Sequence, residues 1–359
     1  MTEQKPVVAL GMSGGVDSSV TVHLLQKAGY EVMGIHMLMI PERFQPNQNA
    51  AEDARAVAEQ CGISFQVLDV REEFEETVIR LFSEEYLKGR TPNPCVYCNQ
   101  ALKFGLFAKK AEELGAEYLS TGHYVRLEDS AEYGKKLLHK AVDAKKDQSY
   151  FLSLVNPAVL SRCIFPLGDY TKDQVRELAR SIGLKVAEKH DSQEICFIPD
   201  NDYKAFLKNY LPKGAYSGGK VYHTDGRCLG NHNGIPNYTI GQRKGLGIAL
   251  GEPAYVVGMD VEKNRVILGG QEDLFHNYLS ASRNNFFVDL PLEQPFPIQA
   301  KIRYRAAAAD AILFIHRDGL CEIRFFDDQR AITPGQCVSY YHGDVLLGGG
   351  IIETTKTVK

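Results

Sequence analysis

Residues 11–20, GMSGGVDSSV, follow an apolar run and are of the types that hold phosphate. Gly14 and Gly15 allow the backbone to approach an anion closely and tolerate positive φ. A helix beginning after them would direct its first N–H groups and the positive end of its dipole at the ligand. A P-loop of the form GxxxxGK[ST] ends in lysine, whereas here Asp17 stands inside the loop. An acid beside phosphate requires a bridging Mg²⁺, or it serves to orient the loop.

Three cysteines in two distant stretches could carry sulfur chemistry. Cys95 and Cys98 form a Cys-x-x-Cys pair in GRTPNPCVYCNQALKFG, and Cys196 lies in HDSQEICFIPD. The prolines predict an extended backbone around Asn93, and a helix is predicted to begin just after Cys98. A thiol at a helix N-terminus and in Cys-x-x-Cys spacing has a depressed pKa, so this pattern predicts a nucleophilic thiolate.

Two other interpretations of these cysteines are open. A structural zinc site needs four ligands, and Cys196 with His190 could complete one, although the sequence has no second Cys-x-x-Cys pair. A thioredoxin-like dithiol is less favoured because no suitable strand precedes the pair. Cys61 falls on the apolar face of a predicted helix, and the five cysteines outside the two motifs are predicted to be structural: Cys61, Cys163, Cys228, Cys321 and Cys337.

Composition narrows the class of protein. The 359 residues are 44% hydrophobic and 24% charged, which is typical of a globular protein of two or three domains. No apolar run is long enough to span a membrane, and the N-terminus does not resemble an export signal. We therefore expect a cytoplasmic protein with free thiols. With a net charge of −4, nucleic acid could be bound only through a local basic face.

Hydrophobic patterning predicts the elements that must position these residues. Strands are expected at 7–10, 32–38, 63–70 and 118–122. Strand and helix alternation at this spacing favours a parallel sheet with right-handed crossovers. Thr171 and Gln174 have the spacing of a capping box, with the helix ending at Gly183. The other helices are expected at 18–28, 50–61, 72–88 and 99–114.

The pattern changes after about residue 203. Glycine and asparagine cluster and helical periodicity disappears, and from about residue 276 short alternating strands favour a small antiparallel barrel or sandwich. We expect an α/β protein whose parallel-sheet domain occupies 1–203. A small central domain is expected at 204–275 and an antiparallel β-barrel at 276–359.

The motifs together resemble a known family. SGGVDS is similar to the signature of ATP-pyrophosphatases of the PP-loop type, which cleave ATP between its α- and β-phosphates. GMSGGVDSSV, GRTPNPCVYCN, STGHY, KDQSYFL, DSQEICFI and YTIGQRKGLGI resemble, in this order, the bacterial and mitochondrial tRNA-specific 2-thiouridylases. The resemblance extends over essentially the whole chain. It implies a Rossmann-like adenine-nucleotide α-hydrolase domain that uses ATP with Mg²⁺.

The resemblance also implies a reaction. The O2 oxygen of the wobble uridine, in tRNAs for glutamate, glutamine and lysine, is adenylated and then replaced by sulfur. A cysteine desulfurase or a sulfur-relay protein would supply the sulfur. The base must leave its stack to enter a pocket. Cys196 would carry the sulfur as a persulfide, Cys98 would be the second catalytic thiol and end in a disulfide with Cys196, and Asp17 would act at the nucleotide.

Site residues are carried over by motif. The resemblance implies that ATP is bound by Gly11, Met12, Ser13, Gly14, Gly15, Val16, Asp17, Ser18, Met37 and Gly122. It implies that tRNA is bound by Asn93, Pro94, Cys95, Lys146, Asp147, Gln148, Arg303 and Tyr304. From the sequence, Tyr304 could equally lie in the barrel core.

One departure leaves an alternative mechanism open. Many members of the family carry Asp where this chain has Cys95, so Cys95, Cys98 and Cys196 could instead hold an iron–sulfur cluster with one open iron. Two other classes also compete: another PP-loop ligase, and a non-catalytic RNA-binding protein. The paired thiols disfavour a different ligase, and the intact Ser13, Gly14, Gly15, Asp17 and Ser18 disfavour loss of ATP binding.

Overall fold

The computed structural model describes residues 5–44, 50–188, 195–248 and 253–358. Its N-terminal part is a five-stranded parallel sheet in the order β3-β2-β1-β4-β7. Strand β1 is central because Val8, Ala9 and Leu10 are fully buried, as expected for a parallel strand covered on both faces. The predicted parallel sheet is confirmed. The strands of this part are β1 (Val7–Gly11), β2 (Glu31–Leu38), β3 (Ser64–Asp69), β4 (Tyr118–Thr121), β5 (Arg126–Ser130), β6 (Lys135–His139) and β7 (Cys163–Ile164).

The helices agree with the predicted segments, with one correction that concerns the site. The predicted helix at 99–114 begins earlier, because the Asn93 side chain accepts a hydrogen bond from the Cys95 N–H and Pro94 fits the first helical position. Cys98 therefore lies one turn inside the helix and not before it. The α-helices are α1 (Val16–Lys27), α2 (Ala50–Cys61), α3 (Arg71–Phe74), α4 (Arg80–Leu87), α5 (Pro94–Cys98), α6 (Phe107–Glu113), α7 (Pro157–Leu160), α8 (Lys172–Ser181) and α9 (Tyr203–Tyr210).

Two π-helical segments and several short 3₁₀ turns complete these elements. The π-helical segments Glu75–Ile79 and Asn99–Leu106 each join two α-helices into a continuous rod. Thr171 and Gln174 form the predicted capping box at the start of α8. The 3₁₀ turns are Ser149–Leu152, Pro166–Asp169, Pro199–Asn201, Ile235–Asn237 and Glu272–Leu274.

The middle of the chain forms a second sheet in the order β10-β11-β8-β9. The expected loss of helical structure after residue 203 is wrong for the first residues, because α9 buries Phe206 and Leu207 against aromatic side chains of the N-terminal part. The strands of the second sheet are β8 (Gly219–His223), β9 (Cys228–His232), β10 (Tyr255–Asp260) and β11 (Arg265–Gly269).

The C-terminal strands form a closed six-stranded antiparallel barrel, so the barrel prediction is confirmed over the sandwich. The order β12-β15-β14-β13-β16-β17 returns to its start because β17 also pairs with β12. The β5–β6 hairpin continues the same sheet through a pairing of His139 with Val345. The barrel strands are β12 (Phe275–Phe286), β13 (Pro295–Lys301), β14 (Ala309–Ile315), β15 (Cys321–Arg330), β16 (Cys337–His342) and β17 (Val345–Lys356).

The barrel also contacts the segment that leads to α5. The Arg90 guanidinium is mostly buried, with Nε 2.6 Å from the Glu85 carboxylate and an ion pair to Glu353 of β17. The Thr91 N–H donates to the Pro334 carbonyl at 2.9 Å, and the Thr91 carbonyl accepts from the Gln336 amide at 2.7 Å. The barrel therefore fixes the chain just before the cysteine pair.

Within the described ranges, no helix has the length and apolar character needed to cross a bilayer.

Candidate active site

The predicted phosphate loop lies between β1 and α1. Gly14 has a φ of +72°, and a Cβ there would lie 2.6 Å from the Ala50 carbonyl oxygen, so no other residue fits. Gly15 precedes α1, whose first turn has no side-chain cap, which leaves main-chain N–H groups available to an anion. The Met12 carbonyl accepts a 2.8 Å hydrogen bond from the buried His36 ring. Burial lowers the pKa of His36, so this anchor is a neutral imidazole.

Three of the residues predicted to bind the nucleotide, Met12, Val16 and Met37, have their side chains in the hydrophobic core. Met12 and Val16 are buried in the core, so contacts from these residues would be made by the main chain. Ser18 Oγ donates to the Gly15 carbonyl at 3.2 Å and lies 3.3 Å from the exposed Ser13 Oγ. Met37 lies within β2, one residue before its end, and its side chain is also in the core.

Asp17 is held by the side chains of Tyr124 and Lys172, a contact that the sequence motifs do not predict. The Tyr124 hydroxyl donates to its Oδ1 at 2.6 Å, and the Lys172 ammonium lies 2.8 Å and 2.9 Å from its two oxygens. The Lys172 side chain is 9% exposed and that of Asp17 is 30% exposed. Because Lys172 neutralises it, Asp17 adds little negative charge beside a phosphate. This geometry fits a carboxylate that orients the loop better than a Mg²⁺ ligand.

The motif after β4 connects the loop to the cysteines. A Cβ at Gly122 would lie 3.0 Å from the Ser18 nitrogen, so glycine permits a close approach to the start of α1. His123 is buried, with its Nδ1 2.7 Å from Thr121 Oγ1 and its ring beside Phe104. Burial, and then the charge of Lys103, lower the pKa of His123 and keep it neutral. Gly122 and Tyr124 thus contact the phosphate loop, and His123 lies near Lys103, whose charge also acts on the cysteines.

The three cysteines of the two motifs lie in one region. Cys98 is buried in the same hydrophobic cluster as Phe197 and Ile198, and its sulfur lies 3.9 Å from the Met39 sulfur. Cys95 and Cys196 are exposed. The charges of Cys98 and Cys95 act on the Cys196 thiol, so sequence positions about a hundred residues apart are brought together. The structure leaves His190, the other proposed zinc ligand, outside the described residues.

The expected low pKa of Cys98 is wrong for this structure. Burial raises the pKa of Cys98 to about 11, and desolvation by the surrounding protein raises that of Cys196 to about 12. The pKa of Cys95 is raised for the same reason. The sequence pattern predicts Cys98 at a helix N-terminus, but Cys98 lies at the end of α5, and a π-helical segment follows it directly. The positive end of the helix dipole is therefore one turn away.

A metal site is not formed by the three sulfurs as placed. Among the described residues, no three His, Cys, Asp or Glu side chains are grouped closely enough to hold a metal ion. Cys95, Cys98 and Cys196 all belong to the described part of the chain. The arrangement therefore does not favour the iron–sulfur alternative.

The residues expected to bind tRNA divide into buried and accessible groups. Asp147 is buried, and its carboxylate accepts hydrogen bonds from the Ala141 and Ser149 N–H groups and the Ser149 hydroxyl. The Gln148 side chain accepts from the Tyr124 N–H at 2.9 Å. As placed, both stabilise the turn after β6, and their contact with tRNA stays a prediction. Among the residues expected to bind tRNA, three that are half-buried and so partly accessible are Lys146, Arg303 and Tyr304.

Tyr304 packs between the barrel and the turn that precedes it. Its ring centroid lies 4.5 Å from that of Phe151, and Lys301 lies over the same ring. Asn93 and Pro94 lie at the start of α5, next to the exposed Cys95. The ring of Tyr304 is partly accessible, so both interpretations from the sequence stay open.

Comparison with known proteins agrees with this fold. Family models described as tRNA methyl transferase HUP domain, tRNA methyl transferase PRC-barrel domain and aminomethyltransferase beta-barrel domain match residues 6–200, 204–270 and 276–352. These matches define the class: a HUP-domain protein with two β-rich domains.

The relatives identify the family. The chain is 49% identical over 355 residues to tRNA-specific 2-thiouridylase MnmA 1 of Caldanaerobacter subterraneus subsp. tengcongensis, covering 96% of this chain and 97% of the relative. It is 47% identical to tRNA-specific 2-thiouridylase MnmA of Clostridium acetobutylicum, covering 96% and 99%. The chain belongs to the tRNA-specific 2-thiouridylase family, which confirms the resemblance of its motifs.

One solved structure gives a weaker comparison. The U34-tRNA thiolase NcsA from Methanococcus maripaludis, with its [4Fe-4S] cluster, is 20% identical, with a TM-score of 0.36 over 59% of this chain and 70% of that one. A likeness of this size gives no support for a cluster in this chain.

Replacing Lys172 should weaken ATP binding. Lys172→Met leaves the Asp17 carboxylate uncompensated beside the phosphate loop, so we expect the Kd for ATP to rise by at least about tenfold, or ~1.4 kcal/mol. Equilibrium binding of ATP to the protein without tRNA measures this. Lys185→Met, an exposed lysine just beyond the same helix, is the matched control. Equal affinity of both variants would contradict the role assigned to Lys172.

The raised thiol pKa values predict slow alkylation at neutral pH. Labelling of the buried Cys98 by iodoacetamide should increase about tenfold per pH unit until it levels near pH 11. Peptide mass spectrometry after timed labelling measures each site in the unliganded protein. A plateau for Cys98 below pH 8 would show that its thiolate is stabilised and not disfavoured.

Proposed function

We propose that this chain is an ATP-dependent sulfurtransferase that converts the wobble uridine of tRNA to 2-thiouridine. Family membership supports this function, and one observation carries it. Gly122 and Tyr124 contact the phosphate loop at Ser18 and Asp17, and His123 lies near Lys103, whose charge also acts on the cysteines. Adenylation takes place on O2 and sulfur adds to C2 of the same carbonyl group, so the two reactive centres must lie side by side.

The first step activates an oxygen that otherwise leaves poorly. The O2 oxygen of an extruded uridine attacks the α-phosphorus of ATP, giving a C2–O–AMP bond and diphosphate. The glycine loop and the start of α1 hold the phosphates, and Mg²⁺ enters with ATP. Lys172 and Tyr124 keep Asp17 in place while this occurs. Asn93, Pro94 and Cys95, at the start of α5, form part of the uridine pocket.

The second step transfers sulfur. A cysteine desulfurase or a relay protein loads the exposed Cys196 as a persulfide. The Cys98 thiolate attacks the Cys196 sulfur, which forms a Cys98–Cys196 disulfide and releases hydrosulfide. Hydrosulfide adds to C2, and AMP leaves with the oxygen. Two electrons from cytoplasmic thiols then reduce the disulfide and restore both cysteines.

The substrates are tRNAs for glutamate, glutamine and lysine. The positive groups proposed to contact tRNA are Lys146 in the turn after β6 and Arg303 between β13 and β14. Such contacts with phosphate position the nucleic acid without reading its sequence. The pocket for the extruded base reads the uridine itself, which the three tRNAs share.

Removing either thiol should abolish thiolation. We expect Cys98→Ser and Cys196→Ser to lose the product while binding ATP and tRNA within about twofold of the parent, since neither substitution alters charge at neutral pH. The assay combines protein, ATP, Mg²⁺, a desulfurase with cysteine, and unmodified tRNA, followed by mass spectrometry of the digested tRNA. Cys228→Ser, an exposed cysteine on β9, is the control that should remain active. Thiolation by either active-site variant would overturn the persulfide mechanism.

Neutralising Lys146 should reduce the salt dependence of tRNA binding. Each lost phosphate contact removes about one counterion, so Lys146→Ala should weaken binding and lower the slope of log K against log salt by about one. Filter binding across a salt series measures both quantities. Lys27→Ala, at the end of α1 opposite to the phosphate loop, should leave them unchanged. Identical slopes for the two variants would remove Lys146 from the tRNA surface.

A further inference from the structure

Lys103 is a half-buried lysine in the cysteine region to which the proposed reaction assigns no role. It lies in the π-helical segment Asn99–Leu106, directly after Cys98. Ion pairs between lysine and a carboxylate occur elsewhere in the described residues, as at Lys110, Lys172 and Lys301, and none of them includes Lys103. A half-buried ammonium group without an acid partner is available to bind an anion.

The π-helical geometry turns Lys103 toward the thiols. Residues five apart in an α-helix differ in direction by about 140°. In a segment with i→i+5 hydrogen bonds they differ by roughly 50°, because each turn holds more than four residues. Cys98 and Lys103 are five apart, so the π turn places them on nearly the same side. Gly105 suits this turn, since a Cβ there would lie 3.0 Å from the Gln100 carbonyl oxygen.

The electrostatics of the region agree with this placement. The charge of Lys103 lowers the pKa of all three thiols, Cys95, Cys98 and Cys196, against the larger upward effect of desolvation. The other ionisable group facing it is His123, which burial and Lys103 keep neutral. In the described region, Lys103 is thus the cation that acts on every sulfur of the site.

We propose that Lys103, with Cys95, Cys98 and Cys196, forms a binding site for anionic sulfur. The inference rests on the proposed function, which generates a thiolate, a persulfide and then hydrosulfide. When Cys98 attacks the Cys196 persulfide, the leaving group carries the electron pair of the broken S–S bond as HS⁻. Lys103 stabilises this anion and retains it beside the adenylated carbon, so that it adds to C2 instead of diffusing away.

Alkylation of the cysteines tests this site without tRNA. In the unliganded full-length protein, Lys103→Met should lower the rate of iodoacetamide labelling of Cys98 and Cys196 at pH 8 about tenfold, which corresponds to a rise of one pKa unit. Lys103→Arg should stay within about twofold of the parent. Lys109→Met, an exposed lysine on α6, is the matched control. Lys103→Gln provides a second neutral variant, and circular dichroism and melting temperature confirm that each variant is folded.

Retention of sulfide gives a second readout. Protein with a persulfide on Cys196 should release more free sulfide per 2-thiouridine formed in Lys103→Met than in the parent, measured by trapping with monobromobimane. The proposed site would be overturned if Lys103→Met and Lys103→Gln are folded, are labelled at the parental rate at pH 8, and release no more sulfide than the parent. If the parent forms no 2-thiouridine but the labelling profiles differ as expected, the proposed function fails while the anion site stands. If the parent forms 2-thiouridine and the profiles coincide, the role of Lys103 alone fails.

Discussion

The close contact between Gly122 and the start of α1 is the constraint from which the site follows. The absence of a side chain at residue 122 allows β4 to end against the Ser18 nitrogen. The next two residues then have fixed positions: the Tyr124 hydroxyl reaches Asp17 on the nucleotide side, and His123 lies near Lys103, whose charge also acts on the cysteines. A bulkier residue would separate these regions. A base held between these regions could meet both reagents without moving.

Resting thiols with raised pKa values also have a chemical advantage. A protonated thiol is a poor nucleophile and reacts slowly with oxidants, so burial protects Cys98 between turnovers. The same burial strengthens the effect of any nearby charge, because the local dielectric constant is low. The phosphate loop is likewise anchored by an uncharged group, because the neutral His36 ring donates a hydrogen bond to the Met12 carbonyl. The Asp17 carboxylate of this loop is charged, and the Lys172 ammonium neutralises that charge.

Local pattern was sufficient to predict much of this protein, and tertiary contact explains what was missed. Apolar runs and turn residues gave the parallel sheet and the barrel, because burial imposes their periodicity. The contact between Lys172 and Asp17 could not be predicted, because Lys172 follows the N-cap of α8 and lies 155 residues from Asp17. Only the packing of α8 against α1 brings them together. The start of α5 could have been found, since Asn93 followed by Pro94 is a good helix-start signal. The π turn after Cys98 could not, because its hydrophobic positions fit an ordinary helix equally well.

The contacts between Arg90, Thr91 and the barrel have a consequence for how the chain is made. A ribosome releases the phosphate loop and the Cys-x-x-Cys segment long before β16 and β17, and domains generally fold as they emerge. Glu353, Pro334 and Gln336, which fix the backbone ahead of α5, are synthesised well after the cysteine segment. The nucleotide fold can therefore form during translation, while the cysteine segment is clamped only after these barrel residues leave the exit tunnel. A chain that stops early in β17 would retain its nucleotide fold but lack the Glu353 partner of Arg90 beside its reactive segment.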